Sequence, residues 1–155
     1  MATIKEVLVT SELFKGLSDD DLNKIAALGR VEIYERGTPL FVEGATAEDF
    51  FVIELGRIGL EINLPGPSSG QGKQITAESL QKGQSCGFSA VKGTPIYALT
   101  ARALGPSRVI AMDGKFLYDI LRDNPRVGYL VMSRMMAALS TTLRNVRSTL
   151  QMFRR

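Results

Sequence analysis

The sequence contains no histidine, which excludes the Ser-His and Cys-His pairs that activate enzymatic nucleophiles and also the usual zinc sites. Its single cysteine, Cys86, has no partner for an internal disulfide and is expected to be a small apolar filler in a reducing cytoplasm. Paired carboxylates or a lysine remain as catalytic groups, and no spacing singles any of them out. The sequence therefore predicts a protein that is not an enzyme and that has no metal site or cofactor.

Long apolar runs and a secretory signal are also absent. No apolar run approaches about 18 residues, and the N-terminus MATIKEVLVT lacks an apolar core followed by a cleavage site. We therefore expect a cytoplasmic protein without a membrane partner. The 155 residues, of which 45% are hydrophobic and 23% charged, suffice for one globular domain. The net charge of +3 does not by itself indicate a nucleic-acid partner.

Residues 1–30 are predicted to form a helical segment. Ser18 precedes three acidic residues, which is the pattern of an N-cap followed by acids that favour the positive end of the helix dipole. An apolar stripe from Leu22 to Leu28 follows, and Gly29 ends the helix. The three aspartates at 19–21 allow a metal cluster as an alternative, but a solvated first turn is the preferred interpretation.

Between residues 31 and 113 the apolar periodicity changes to two. Short apolar segments bounded by glycine turns recur about every ten residues, which predicts a small β sandwich or barrel. The predicted strands are 31–34, 39–42, 50–55, 58–62, 75–80, 97–104 and 108–112.

Residues 114–155 are predicted to be helical, with one break at Asn124-Pro125. From residue 126 onward, apolar residues recur at spacings of three and four, the a and d pattern of a coiled coil. We call this set the seam; it consists of Tyr129, Met132, Met136, Leu139, Leu143, Val146, Leu150 and Phe153. The first half of the seam is expected to pack on the protein's own core, and the second half to pair with a second copy of the chain.

The same helix is basic and carries no acidic residue. Its arginines are Arg126, Arg134, Arg144, Arg147, Arg154 and Arg155. Such a helix can bind nucleic acid or an anionic surface, but a solvated face that flanks a dimer seam is the preferred interpretation. No helix-turn-helix pattern follows in the sequence, so we do not expect direct reading of DNA sequence.

The segment from Gly83 to Arg102 carries the candidate binding site. It opens with Gly-x-x-x-Gly, ending at Gly87, and continues with the small residues Ser89 and Ala90. A glycine turn that leads into a short helix directs backbone N–H groups at one point, which is how proteins hold phosphate. An ordinary tight connection explains the same spacing, and on spacing alone it is the better explanation.

This segment resembles the phosphate-binding cassette of the cyclic nucleotide-binding domain family, of the catabolite activator protein and protein kinase A regulatory subunit type. That cassette has the pattern Gly-Glu-x-Ala-Leu, a variable segment, and Arg-Ser/Thr-Ala. Gly87, Ala90 and Val91 match the first part without a gap. The resemblance implies a jelly-roll β sandwich with flanking helices, and a long C-terminal helix that pairs along a dimer axis. The turn glycines of that fold correspond to Gly37, Gly44, Gly56, Gly83 and Gly87.

Two residues depart from the family's pattern. Phe88 stands where the family has the glutamate that binds the ribose hydroxyl, and Ala98 stands where it has the arginine that pairs with the cyclic phosphate. Arg102 is about 13 Å along the strand from Ala98 at ~3.3 Å per residue, too far to substitute, so Lys92 is the better candidate cation.

The resemblance and these departures together predict a regulatory or interaction domain. Its expected parts are the helical segment 1–30, the jelly roll 31–113 with the cassette 83–102, and the dimerising helices 114–155. We expect a homodimer that also contacts an unidentified protein and does not bind cAMP or cGMP in the family's usual way. The alternative is a functional cyclic nucleotide sensor that uses substitute contacts. The residues expected to frame the pocket are Gly87, Phe88, Ser89, Ala90, Ala98, Leu99 and Thr100.

Overall fold

The computed structural model describes residues 2–66, 72–92 and 95–153, and in it two four-stranded antiparallel sheets form a sandwich. The strands are β1 (Arg30–Tyr34), β2 (Pro39–Phe41), β3 (Asp49–Leu55), β4 (Ile58–Leu64), β5 (Lys73–Leu80), β6 (Ser85–Cys86), β7 (Thr100–Ala103) and β8 (Ser107–Asp113). The helices are α1 (Ile4–Val9), α2 (Asp19–Ala26), α3 (Ser89–Lys92), α4 (Gly114–Asp123) and α5 (Pro125–Met152). Residues 93 and 94 of the predicted cassette, and Arg154 and Arg155 of the basic helix, therefore lie outside the described residues. The predicted mainly-β sandwich with a long C-terminal helix is confirmed.

The first sheet has the strand order β1-β8-β3-β6 and separates two hydrophobic clusters. Phe50 and Val52 of β3 face a cluster covered by the helices, whereas Phe51 and Ile53 face the second sheet. Because β3 is buried on both faces, its sequence is a continuous apolar run rather than an alternating one. The second sheet, β2-β7-β4-β5, closes the other side of the sandwich.

The N-terminal segment contains two helices, of which the sequence analysis predicted the second. Ser18 caps α2 as expected, with its hydroxyl accepting from the Asp21 N–H. The additional helix α1 is stabilised by a capping box, in which Thr3 and Glu6 exchange hydrogen bonds between side chain and backbone at 2.8 and 3.2 Å.

The predicted strand 97–104 is wrong in its first three residues, since β7 begins at Thr100. The backbone N–H of Tyr97 donates to the Ala45 carbonyl, and the Tyr97 carbonyl accepts from the Gly44 N–H. These bonds tie Tyr97 to the turn after β2 instead of to a neighbouring strand. The five predicted turn glycines all have positive φ, from 87° to 95°.

Helix α5 packs on the core through Val127, Val131 and Met135, which are buried. The first half of the helix meets the core through a stripe different from the seam, so the prediction that the first half of the seam packs on the core is wrong except at Met132. Of the seam, Met132 packs partly against the core, while Tyr129 and Met136 are 79% and 64% exposed on the single chain. Neither α5 nor any other helix in the described residues is long and apolar enough to cross a membrane.

Candidate functional site

The turn at Gly87 joins β6 to α3 and sets the position of the site. Gly87 has φ +87°, and a Cβ placed on it would lie 2.8 Å from the Asp49 carbonyl oxygen of β3. Both the left-handed backbone and this close approach require glycine. The Ala90 N–H then donates to the Gly87 carbonyl at 3.1 Å, which begins the short helix α3.

A cavity of about 70 Å³ lies beside this turn, between the second sheet and α5. None of the residues that line it carries a charged side chain, and most of the lining is apolar or aromatic. The lining residues are Phe41, Leu60, Cys86, Gly87, Phe88, Ser89, Tyr97, Ala98, Leu99, Leu139 and Thr142.

Five of the seven predicted pocket residues line this cavity, namely Gly87, Phe88, Ser89, Ala98 and Leu99. The other two have structural contacts instead. The Ala90 carbonyl packs so closely on α4 that a Cβ at Gly114 would lie 2.1 Å from its oxygen. The buried Thr100 hydroxyl accepts a hydrogen bond from the Glu43 N–H at 2.9 Å.

Phe88 belongs both to the cavity and to the helix-covered core. Its ring centroid lies 5.6 Å from that of Phe50 in a tilted arrangement, and the side chain packs partly buried against the core. Because the Phe88 ring packs against the core, it is held in place and forms part of the wall of the cavity.

Two aromatic residues that the sequence analysis did not select complete one wall. Tyr97 stacks on Phe41 with ring centroids 3.9 Å apart and planes 14° from parallel. The Tyr97 hydroxyl donates to the Asp49 carbonyl at 2.7 Å and accepts from the Asp49 N–H at 3.0 Å. Burial raises the pKa of the Tyr97 phenol, so the group stays neutral at physiological pH. Nothing in the sequence pattern marks this pair, because Phe41 and Tyr97 are distant along the chain.

Arg102 and Lys92 are the two cations that were considered as replacements for the arginine missing at Ala98. Both side chains contact other groups of the protein. The Arg102 Nε lies 3.1 Å from the Glu61 carboxylate, and its Nη1 donates to the Gly37 carbonyl at 2.9 Å. The Lys92 ammonium lies 4.9 Å from the ring centroid of Tyr118, as a cation–π contact. Among the described residues, neither these side chains nor any other cationic one lines the cavity.

Helix α5 covers the cavity through Leu139 and Thr142. The Thr142 hydroxyl donates to the Glu78 carboxylate at 2.5 Å, which fixes this part of the helix to β5. In the sequence, Leu139 belongs to the seam and no pattern singles out Thr142. Their role in the site depends on where α5 crosses the sandwich, which periodicity alone does not determine.

The cysteine is buried and is one of the residues that line the cavity. Burial raises the pKa of the Cys86 thiol to about 12, so the group is a neutral thiol at physiological pH. Its predicted role as a small filler agrees with its place in the core between the two sheets.

The family model described as the cyclic nucleotide-binding domain matches residues 31–124. This span is more than half of the chain, so the chain belongs to the cyclic nucleotide-binding domain family, and the resemblance seen in the sequence is confirmed. Solved structures with this fold include the N-terminal domain of a transcriptional regulator from Streptomyces coelicolor and the catabolite activator protein of Thermus thermophilus. No curated protein sequence matches the chain significantly.

Solved structures share the fold at low sequence identity. A protein of the cyclic nucleotide-binding type from Geobacter metallireducens aligns with TM-score 0.73 and 23% identity over 92% of this chain and 99% of its own. A cyclic nucleotide-binding domain from Methylobacillus flagellatus aligns with TM-score 0.72 and 19% identity over 99% and 83%. The sensor domain of the transcriptional regulator DNR from Pseudomonas aeruginosa aligns with TM-score 0.70 and 22% identity over 90% and 91%.

Proposed function

We propose that this chain is a non-catalytic regulatory domain that acts as a homodimer and does not bind cAMP or cGMP in the family's usual way. The observation that carries the proposal is the uncharged lining of the cavity, where Phe88 and Ala98 stand in place of the family's glutamate and arginine. A buried phosphate needs a positive partner or several hydrogen-bond donors. The nearby cations are held by Glu61 and Tyr118.

The size of the expected effect follows from the missing arginine. Losing one partner of a buried charge pair costs about 2–5 kcal/mol. At about 1.4 kcal/mol for each tenfold step, this loss weakens binding by roughly 30-fold to several-thousand-fold. Phe88 adds to the effect because it replaces a carboxylate acceptor with a ring that is packed against Phe50.

The alternative is a functional cyclic nucleotide sensor with substitute contacts. The Ser89 hydroxyl at the cavity favours it, because this group lies directly after the Gly87 turn and can donate a hydrogen bond to a phosphate oxygen. A hydroxyl supplies a donor but no charge, so it replaces only part of what an arginine provides.

The proposed dimer rests on the exposed seam of α5. Leu143 is 71% exposed, and Leu139, Leu150 and Phe153 are each 47% exposed on the single chain. A contiguous apolar strip of this kind is rarely left open on a monomer. We propose that a second copy of the chain covers this apolar strip. We also propose that the domain acts on a further protein instead of reading DNA directly. One of the basic residues supports this view, because Arg134 donates to the Leu13 and Lys15 carbonyls and so serves to anchor α5.

Titration calorimetry with cAMP and cGMP tests the nucleotide proposal. We expect no binding, or a dissociation constant above about 10 µM for both nucleotides, because a buried phosphate would find no cation. A dissociation constant below about 10 µM for either nucleotide would favour the sensor alternative instead.

A further inference from the structure

A larger cleft, of about 390 Å³, lies between α1, the end of β3 and the turn after β5. It shares no lining residue with the cavity beside the Gly87 turn. Its volume falls within the roughly 300–1,000 Å³ typical of sites for small molecules, which leaves room for a molecule as small as a free amino acid. The lining residues that bear on its chemistry are Glu6, Val7, Glu54, Leu55, Lys82 and Arg108.

The wall of the cleft contains a carboxylate that is only partly satisfied. The Glu54 side chain is 8% exposed, and its Oε1 accepts from the Arg108 Nε at 2.7 Å. Its Oε2 has no hydrogen-bond partner among the described residues. In that part of the chain the Ser85 hydroxyl is the one fully enclosed side-chain polar atom without a partner, so the Glu54 Oε2 is accessible from the cleft. A carboxylate removed from bulk water is stabilised by a further donor at such an oxygen.

An irregularity in β3 gives Glu54 its position. Ile53 pairs with Val109 of β8, and Leu55 pairs with the adjacent Arg108. Glu54 is therefore the extra residue of a β-bulge, with no residue of its own opposite it in β8. Bulges occur preferentially next to functional sites, because the extra residue redirects a side chain.

The cleft also presents a cation and apolar groups. Lys82 lines it from the turn after β5, and no ion pair of the described residues involves the Lys82 ammonium. The Glu6 carboxylate is already used, since it accepts from the Thr3 N–H in the capping box of α1. Val7 and Leu55 add apolar surface. A ligand in the cleft thus meets a carboxylate acceptor, an ammonium donor and apolar side chains.

From this arrangement we infer that the cleft binds a free α-amino acid with an apolar side chain. The ligand's ammonium donates to the Glu54 Oε2 and its carboxylate pairs with Lys82, both as charge-assisted hydrogen bonds. Its side chain contacts Val7 and Leu55. The inference goes beyond the proposed function, because it assigns a ligand to a separate site.

A metal ion fits the same carboxylate less well. In the ranges that the structure describes, no three acidic, histidine or cysteine side chains come together to hold one. A cation that carries its own hydrogen-bond donors, such as an ammonium, needs only the free oxygen of Glu54.

Three related probes test which charges the cleft recognises. Leucine carries both an ammonium and a carboxylate, leucine amide keeps only the ammonium, and N-acetyl-leucine keeps only the carboxylate. We expect calorimetry to show one leucine per chain with a dissociation constant below about 1 mM, and at least about tenfold weaker binding of each analogue. Absent binding of leucine, or equally tight binding of either analogue, would overturn the inference.

Two variants locate the bound leucine. Lys82→Met removes the ammonium from an exposed turn and is expected to weaken leucine binding about tenfold, to the level of leucine amide. Lys115→Met makes the same change at an exposed position of α4 outside the cleft, so leucine binding should be unchanged. Unchanged binding in Lys82→Met, or an equal loss in Lys115→Met, would show that leucine occupies another surface.

A third variant tests the carboxylate itself. Glu54→Gln keeps the shape of the side chain and removes its charge, so leucine binding is expected to fall at least about tenfold while N-acetyl-leucine binding does not fall. Circular dichroism checks the fold, because the substitution also removes the ionic partner of Arg108. Full leucine binding by folded Glu54→Gln protein would contradict the inference. If this variant does not fold, the result with Lys82→Met decides.

Discussion

The Leu143→Asp protein is expected to be a folded monomer, whereas we expect the unmodified protein to be a dimer. Leu143 is 71% exposed on the single chain and lies in the middle of the seam's second half. Burying Leu143, Val146 and Leu150 against their counterparts contributes about 1.5–3 kcal/mol for each side chain. The substitution removes one of these side chains from each copy and places two carboxylates opposite each other. The fold itself should persist, because α5 meets its own core through Val127, Val131 and Met135.

Multi-angle light scattering at tens of micromolar protein measures this effect. Ser148→Asp is the matched control, because it adds the same charge at an exposed position between the seam residues Val146 and Leu150. The control should remain dimeric, since its carboxylate faces water away from the seam. A Leu143→Asp dimer, or an unmodified protein that is already monomeric, would show that the seam does not join two chains.

The double substitution Phe88→Glu with Ala98→Arg is expected to raise the affinity for cAMP by on the order of 30-fold or more. Both positions line the cavity, so the new side chains restore an acceptor and a cation beside the Gly87 turn. The arginine supplies the charge that a buried phosphate needs. Because Phe88 also packs against Phe50, a lower free energy of unfolding is expected alongside the gain in binding.

Replacing both positions with glutamine is the control for this experiment. Glutamine adds comparable polar bulk without charge, so calorimetry should detect little gain for cAMP. An equal gain with glutamine would assign the effect to space or hydrogen bonding instead of charge. No gain with Glu and Arg would mean that the cavity differs from the family's pocket at more than these two positions.

Local signals in the sequence account for much of the fold. The Ser18 cap, the break at Asn124-Pro125 and the turn glycines all depend on neighbouring residues, and the structure has each of them. The Asn124 side chain accepts from the Val127 N–H and so begins α5, as a residue before a helical proline commonly does. Most of the β strands likewise follow from the alternation of apolar residues and from the glycine turns between them.

Elements that depend on tertiary contacts were missed or misplaced. Strand β6 has two residues, too few for any periodicity, and exists because it pairs with β3 at Phe51 and Val52. Helix α1 did carry a signal, the Thr3-x-x-Glu6 capping box, but it has only six residues. Tyr97 has strand propensity, and its hydrogen bonds to the turn after β2 override that preference.

The candidate site could also be predicted only in part, because some of its residues come together only through tertiary contacts. The residues around Gly87 and Ala98 are found from their place in one continuous segment, and most of them line the cavity. Phe41, Leu139 and Thr142 come from β2 and α5 and meet the site only in three dimensions. On α5 two apolar stripes coexist, and the seam with Leu143 is as periodic as the buried stripe with Val131. Spacing alone does not say which stripe faces the core.

The central claim is that the part of the chain that the structure describes offers the cavity no positive charge with which to bind a cyclic phosphate. Calorimetric titration of the unmodified protein with adenosine and with cAMP tests it most directly, because the two ligands share the base and the ribose and differ in the charged phosphate. The account predicts that cAMP binds no more tightly than adenosine. Binding of cAMP at least about tenfold tighter than that of adenosine would contradict it, since the phosphate would then have a partner in the cavity.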